Sequence, residues 1–267
     1  FFSFFASNPL GMNHPGMKTP EFQARLLKVA LHNVTNSDVY TTEMAEFVET
    51  FARHTMEPVF KHAFFVAGGT LGVENALKAS FDWKVRKNLA RGYREERGTK
   101  VLHFEQAFHG RSGYTLTLTN TTDPRKTAYF PKFDWPRVSN PKAVFPLTAE
   151  RVADVATREA LAVAQMERAF ETHKDDIAAI IIEPIQGEGG DNHFRPEFFK
   201  ELRRIADQHE AMLVFDEVQA GFGLTGKFWS HEHYGIRPDM VAFGKKAQVC
   251  GFIATDRIED VKENVFH

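Results

Sequence analysis

Three short apolar runs constrain this chain more than anything else in it: "IAAIII" at 177–182, "MLVF" at 212–215 and "VAF" at 241–243. None carries a polar residue at alternate positions. A strand with one wet face alternates, whereas a strand with no polar face must be covered on both sides. The helical pattern "PEFFKELRRIADQHE" separates the first two runs. Buried strands alternating with helices predict an α/β fold, a mostly parallel central sheet with helices on both faces. The rest of the chain fits this rhythm. "HAFFVA", "KVLHFE" and "GFIATD" read as further strands. "TLGVENALKASFDWKVRKNLA" and "AERVADVATREALAVAQMERAFETH" read as long helices. Upstream, "PEFQARLLKVALHN" and "TEMAEFVETFARH" read as helices, after turn signals at Asn8-Pro9 and His14-Pro15-Gly16. The expected division is an N-terminal segment over 1–45 and a large domain over 46–267.

Charge and cysteine content narrow the function classes. The 33 basic residues nearly balance 35 acidic ones, for a net charge of -2, so no basic excess points to nucleic acid. No apolar stretch is long enough to span a bilayer. A single cysteine, Cys250, cannot form an internal disulfide and fits a reducing, cytoplasmic setting. The chain opens on "FFSFFASNPLG" and stops at "KENVFH". Neither reads as a natural terminus, so the expectation is the middle of a longer protein.

In parallel sheets ligands collect beyond the carboxyl ends of the strands. After "FFVA" come Gly68, Gly69 and Thr70 and then a helix, the outline of a phosphate cradle. After "VLHFEQA" come Phe108, His109, Gly110 and Arg111, where a ring can stack on a flat ligand and a guanidinium can clamp a carboxylate. Glu183 opens a glycine-rich loop, "EPIQGEGG", that includes Glu188. Asp216 ends "MLVF" and is followed by Glu217, Val218 and Gln219. Lys245 and Lys246 follow "VAFG", where a desolvated amine becomes a usable nucleophile. Each signal is weak alone. Together they offer a cradle, a ring, a clamp, an acid and a lysine, and pyridoxal 5'-phosphate needs that set. The residues alone leave open which lysine serves.

These segments resemble the class III pyridoxal-phosphate aminotransferases of fold type I. The likeness is carried by "FFVAGGTLGVENALKASFDWK", "FHGRSGYTLTLTNT", "FPKFDWPR", "IIEPIQGEGGDNHF", "LVFDEVQAGFGLTGKFW" and "DMVAFGKKAQVCG", spread from Phe64 to Gly251. "HGRSGYTLTLTN", "FPKFDWPR" and "GKKAQVCG" are similar to the subgroup that acts on the ε-amine of L-lysine. The resemblance implies the large domain of a fold type I transferase, and implies Lys245 as the residue that bonds the cofactor aldehyde. It implies Gly69 and Thr70 at the phosphate, and Phe108 and Val218 on the two faces of the pyridine, with His109 among the cofactor contacts. It gives Asp216 to the ring nitrogen, Glu183 behind it, and Gln219 to the ring oxygen and the substrate side. Arg111 resembles the clamp for the substrate α-carboxylate. Glu188 resembles a switch that masks a second arginine when lysine is bound and uncovers it for 2-oxoglutarate.

The implied reaction moves the ε-amino group of L-lysine to 2-oxoglutarate. Its products are L-glutamate and 2-aminoadipate 6-semialdehyde, which cyclises to piperideine-6-carboxylate. The implied assembly is a homodimer. Thr70 stands where small residues are common in the family. The second arginine, its C-terminal small domain and a phosphate-contacting Thr segment from the partner subunit have no counterpart in the chain, so alone it is expected to be inactive. Another ω-aminotransferase, acting on ornithine, 4-aminobutyrate or a diamine, is the nearest alternative. A metal-dependent hydrolase built on His231-Glu232-His233, His103, His109 and the acids of the glycine-rich loop is more remote, since that spacing fits no standard zinc pattern, and no metal is expected.

Overall fold

The computed structural model describes residues 18–32 and 40–262. The turn signals at Asn8-Pro9 and His14-Pro15-Gly16 and both chain ends lie outside them. Two helices lead in, α1 (Pro20–His32) and α2 (Thr42–Thr55). Thr41 starts α2 by accepting the Met44 N–H at 3.2 Å, which satisfies one of the free amides of the first turn. Arg25 ties α1 to Glu46 of α2 at 2.7 Å. A division at residue 45 falls inside α2, and this helix packs Phe51 against Phe60, Trp229, Phe243 and Ile253 of the main body.

The main body alternates as the apolar runs require. In chain order it holds β1 (Phe60–Val66), α3 (Gly69–Ala90), β2 (Lys100–Phe104), α4 (Gly113–Leu118), β3 (Arg137–Val138) and α5 (Ala149–Thr172). It continues with β4 (Ile177–Ile182), β5 (Ile185–Gln186), β6 (Asn192–His193), α6 (Pro196–Gln208), β7 (Met212–Asp216), β8 (Met240–Phe243) and β9 (Cys250–Thr255). Seven strands form one sheet in the order β1-β9-β8-β7-β4-β2-β3, and β5 pairs with β6 in a separate hairpin. In the seven-stranded sheet β9 runs antiparallel to both of its neighbours, and that sheet's other pairs are parallel. Apolar patterning gives the existence of "GFIATD" as a strand but carries no sign of its direction.

Each central strand divides its side chains between two cores. Ile180 and Ile182 of β4 and Leu213 and Phe215 of β7 pack under α5 and α6 with Met166, Phe198, Phe199 and Leu202. Ala179 and Ile181, with Met212 and Val214, pack under α3 against Val73, Ala76, Leu77 and Trp83. Every residue of β4, β7 and β8 is buried, which is why those runs show no alternation. At roughly 1.5–3 kcal/mol for each large apolar side chain fully buried, these two layers dominate the stability of the sheet. The parallel strands end on one edge, and the short apolar runs stop there.

Candidate active site

The loops beyond β1, β2, β4, β7 and β8 enclose a cavity of about 180 Å³. Its walls are Gly69, Thr70, Phe108, His109, Gly110, Glu183, Asp216, Val218, Gln219 and Lys245. Every cofactor-contacting residue expected from the sequence lines it.

On the β1 side, Gly68 caps α3 with φ +106 and no side-chain cap, and no acid stands in the first turn. The first amides of this 22-residue helix therefore offer donors and a partial positive charge. Gly69 is required by space: a Cβ there would stand 2.7 Å from Val218 Cγ1. Gly110 is required by both conformation and space, with φ +116 and a would-be Cβ 2.3 Å from Thr70 Oγ1. Thr70 thus packs its hydroxyl against the turn that follows Phe108 and His109. That turn is pinned by Thr119, which accepts from the His109 N–H at 3.0 Å and donates to Gly110 O at 2.6 Å.

The acids sit opposite. Asp216 is 5% exposed; its Oδ1 accepts the Val218 N–H at 3.1 Å, and its Oδ2 lies 2.8 Å from His109 Nδ1. A carboxylate has about four acceptor positions, so Asp216 keeps capacity for another donor. Buried His109 has no partner for Nε2. Glu183 Oε1 accepts the Phe108 N–H at 2.7 Å. Burial, and then the neighbouring Asp216 charge, raise the Glu183 carboxyl well above the usual range, against the Phe108 N–H and the Lys245 charge. Burial and a neighbouring like charge thus both work against ionising Glu183.

Lys245 and Lys246 part company at the end of β8. Lys245 lines the cavity and donates from Nζ to Gln219 Oε1 at 2.8 Å. Lys246 is buried and donates to the Gln219 backbone oxygen. Lys245 holds φ +38, a left-handed conformation that costs a side-chain-bearing residue roughly 1–2 kcal/mol, and this turn splays the two side chains.

The substrate-side residues stand apart from these walls. Arg111 is exposed, directly beyond Gly110, and has no side-chain partner among the described residues. Glu188 is exposed on the glycine-rich loop and pairs with Lys126. The histidines weighed as metal ligands are dispersed. His231 lies between Glu217 and Glu57 (2.9 and 3.1 Å), His233 contacts Thr225, His103 meets Arg137, and His109 meets Asp216. Among the described residues no group of three His, Cys, Asp or Glu could hold a metal ion.

Sequence reasoning passed over Glu217 and the use of Lys246. Buried Glu217 accepts from the Ser230 and His231 N–H groups at 2.6 and 2.9 Å and from the His231 ring. It thereby anchors the loop that carries Val218 and Gln219. A second acid directly after Asp216, at the end of a fully apolar strand, was the available signal.

The model of the aminotransferase class-III family matches residues 1–263. The chain belongs to the class III aminotransferases. Among curated members it is 54% identical to L-lysine-epsilon aminotransferase of Mycobacterium tuberculosis, over 99% of this chain and 58% of that protein. It is 48% identical to the enzyme of the same name from Streptomyces clavuligerus over the same shares, and 33% identical to rat mitochondrial 4-aminobutyrate aminotransferase over 94% of this chain and 54% of that one. A solved structure titled lysine aminotransferase from M. tuberculosis in the internal aldimine form superposes with a TM-score of 0.93 at 55% identity, covering 99% of this chain and 60% of that one. The chain thus spans under two thirds of the length of these class III relatives.

The class III cofactor is pyridoxal phosphate, and the cavity suits it. The uncapped first turn of α3 complements a phosphate, Asp216 has acceptor capacity left for a ring N–H, and Lys245 presents an amine. The close approaches at Gly69 and Gly110 leave room that a Cβ would take. Among the described residues no helix is long and apolar enough to cross a membrane.

Proposed function

We propose that this chain is the cofactor-binding part of an enzyme that transfers the ε-amino group of L-lysine to 2-oxoglutarate. The observation that carries the chemistry is the meeting of the Lys245 amine with the Asp216–His109 pair in one small cavity at the strand ends. The choice of lysine rests on the relatives, which are much closer under a lysine name than under a 4-aminobutyrate name.

When bound, pyridoxal phosphate supplies an aldehyde that bonds an amine and a ring that draws electrons from the adjoining carbon. Lys245 would bond that aldehyde through Nζ, and the ε-amine of lysine would compete for the same carbon. Its amine would move a proton off the substrate's ε-carbon as general base and return one as general acid. Gln219 Oε1 keeps that nitrogen in reach throughout. Asp216, fixed by His109 and the Val218 N–H, would accept from the ring N–H. Glu183, whose ionisation burial opposes, holds the Phe108 N–H behind it. Phe108 and Val218 would wall the ring, and Gly69 and Thr70 would bound its phosphate end. Arg111, exposed just beyond Gly110, takes the α-carboxylate of L-lysine. Glu188 adjusts the site between the two substrates, releasing Lys126 as it moves. A cytoplasmic setting fits the single free cysteine, Cys250. The working assembly is a homodimer, in which further residues of the full-length protein complete each site.

The test is a panel of L-lysine, L-ornithine and 4-aminobutyrate with 2-oxoglutarate, using the full-length protein and following glutamate. L-Lysine should give the highest kcat/KM, and Lys245→Ala should abolish turnover. Equal or better use of ornithine or 4-aminobutyrate would move the assignment to another ω-amine.

A further inference from the structure

Two adjacent lysines end β8, and the proposed function uses one. Lys246 is 5% exposed, so its ammonium has left water for a specific partner. That partner is the backbone oxygen of Gln219. The side chain of the same Gln219 receives Lys245 Nζ at 2.8 Å. One glutamine is therefore gripped at both ends by consecutive lysines. Its amide has no slack on the far side, because a Cβ on Gly187 would lie 2.3 Å from Gln219 Nε2. The left-handed turn at Lys245 makes the double grip possible by sending the two side chains to different ends of one residue.

Lys246 suits a holding role and not a chemical one. It is absent from the cavity wall, whereas Lys245 and Gln219 are part of it. Burial, and then the Lys245 charge, lower its amine to about 8 against the opposing pull of Glu217. Lys246 thus remains largely cationic and a donor at neutral pH.

We propose that Lys246 is a positioning residue: by fixing the Gln219 backbone it sets the side-chain oxygen that steers the Lys245 amine into the cavity. This rests on the reading of Lys245 as the cofactor-bonding residue. The consequence is that Lys246 acts only through Gln219.

A double-mutant cycle tests it in the full-length protein, with Lys246→Met, Gln219→Ala and the pair. The readouts are the Kd of the apoprotein for pyridoxal phosphate by fluorescence titration, and kcat and KM for L-lysine. Lys246→Met should weaken cofactor binding and lower kcat about tenfold each, with KM changed less than twofold. Lys246→Arg, which keeps a charged donor, should recover most of the loss. In the Gln219→Ala background Lys246→Met should add less than twofold. A Lys246→Met protein within twofold of wild type, or an undiminished loss in the Gln219→Ala background, overturns the proposal. Should Lys246→Met fail to fold by circular dichroism, Lys246→Gln enters the same cycle and is judged by the same outcomes. Failure of the underlying reading looks different: wild type would take up no cofactor, or Lys245→Ala would turn over normally.

Discussion

Replacing Glu183 by Gln removes one titration and almost nothing else. The amide keeps an acceptor for the Phe108 N–H, which Glu183 Oε1 takes at 2.7 Å. Burial, and then Asp216, raise the folded-state pKa well above 4.5, while the Phe108 N–H and Lys245 pull the other way. The folded state therefore holds this proton more tightly than the unfolded state. The stability involved is fully present below pH 4.5 and is lost as pH rises through the folded-state value. One proton gives a slope of at most about 1.4 kcal/mol per pH unit. Glu183→Gln has no such term. Its unfolding free energy minus that of wild type should climb with pH at up to that slope, then level off. Urea unfolding of both proteins without cofactor, from about pH 5 to about pH 8, reads the difference with other titrations cancelled. A flat difference over that range would show Glu183 already ionised across it and refute the raised pKa. Adding Lys245→Ala removes an opposing cation and should move the levelling point to higher pH.

Gly69→Ala should weaken pyridoxal phosphate binding at least tenfold, about 1.4 kcal/mol, because its Cβ meets Val218 Cγ1 at 2.7 Å. Val218→Ala in the same protein should restore part of it, both read by cofactor titration. Lys84 is buried in α3 and donates to His209 O and Glu210 O at 3.0 and 2.8 Å, closing the end of α6. Lys84→Ala should cost about 2–4 kcal/mol in denaturant unfolding, from the cavity and two orphaned carbonyls. Burial alone would lower the His231 pKa, but its contacts with Glu217 and then Glu57 outweigh that and raise it. The stability His231 adds should be full below its ordinary 6.5 and fall as pH rises through the folded-state value, and His231→Gln should flatten that decline in thermal unfolding.

What could be read from the sequence follows from how locally each feature is encoded. Strands β4, β7 and β8 were legible because burial on both faces leaves uninterrupted apolar runs, and the residues just past them define the cavity. The direction of β9 was not legible, since an antiparallel strand wedged between β1 and β8 has the same apolar text as a parallel one. The helix α4 and the short strands β3, β5 and β6 are too brief to show a period. Residues alone could not separate Lys245 from Lys246, because the choice depends on a left-handed turn at a lysine. The His109 contact with Asp216 and the His231 contact with Glu217 join residues far apart in the chain. His231 drew notice as half of a His-x-His pair, yet its partners are carboxylates supplied by other segments.

The most direct measurement is the identity of the lysine that bonds the cofactor. The full-length protein would be loaded with pyridoxal phosphate, reduced with borohydride, digested and mapped by tandem mass spectrometry. The pyridoxyl label should fall on Lys245, with Lys246 unlabelled and no label in Lys245→Ala. A label on Lys246, or none in a folded wild-type protein, would contradict it.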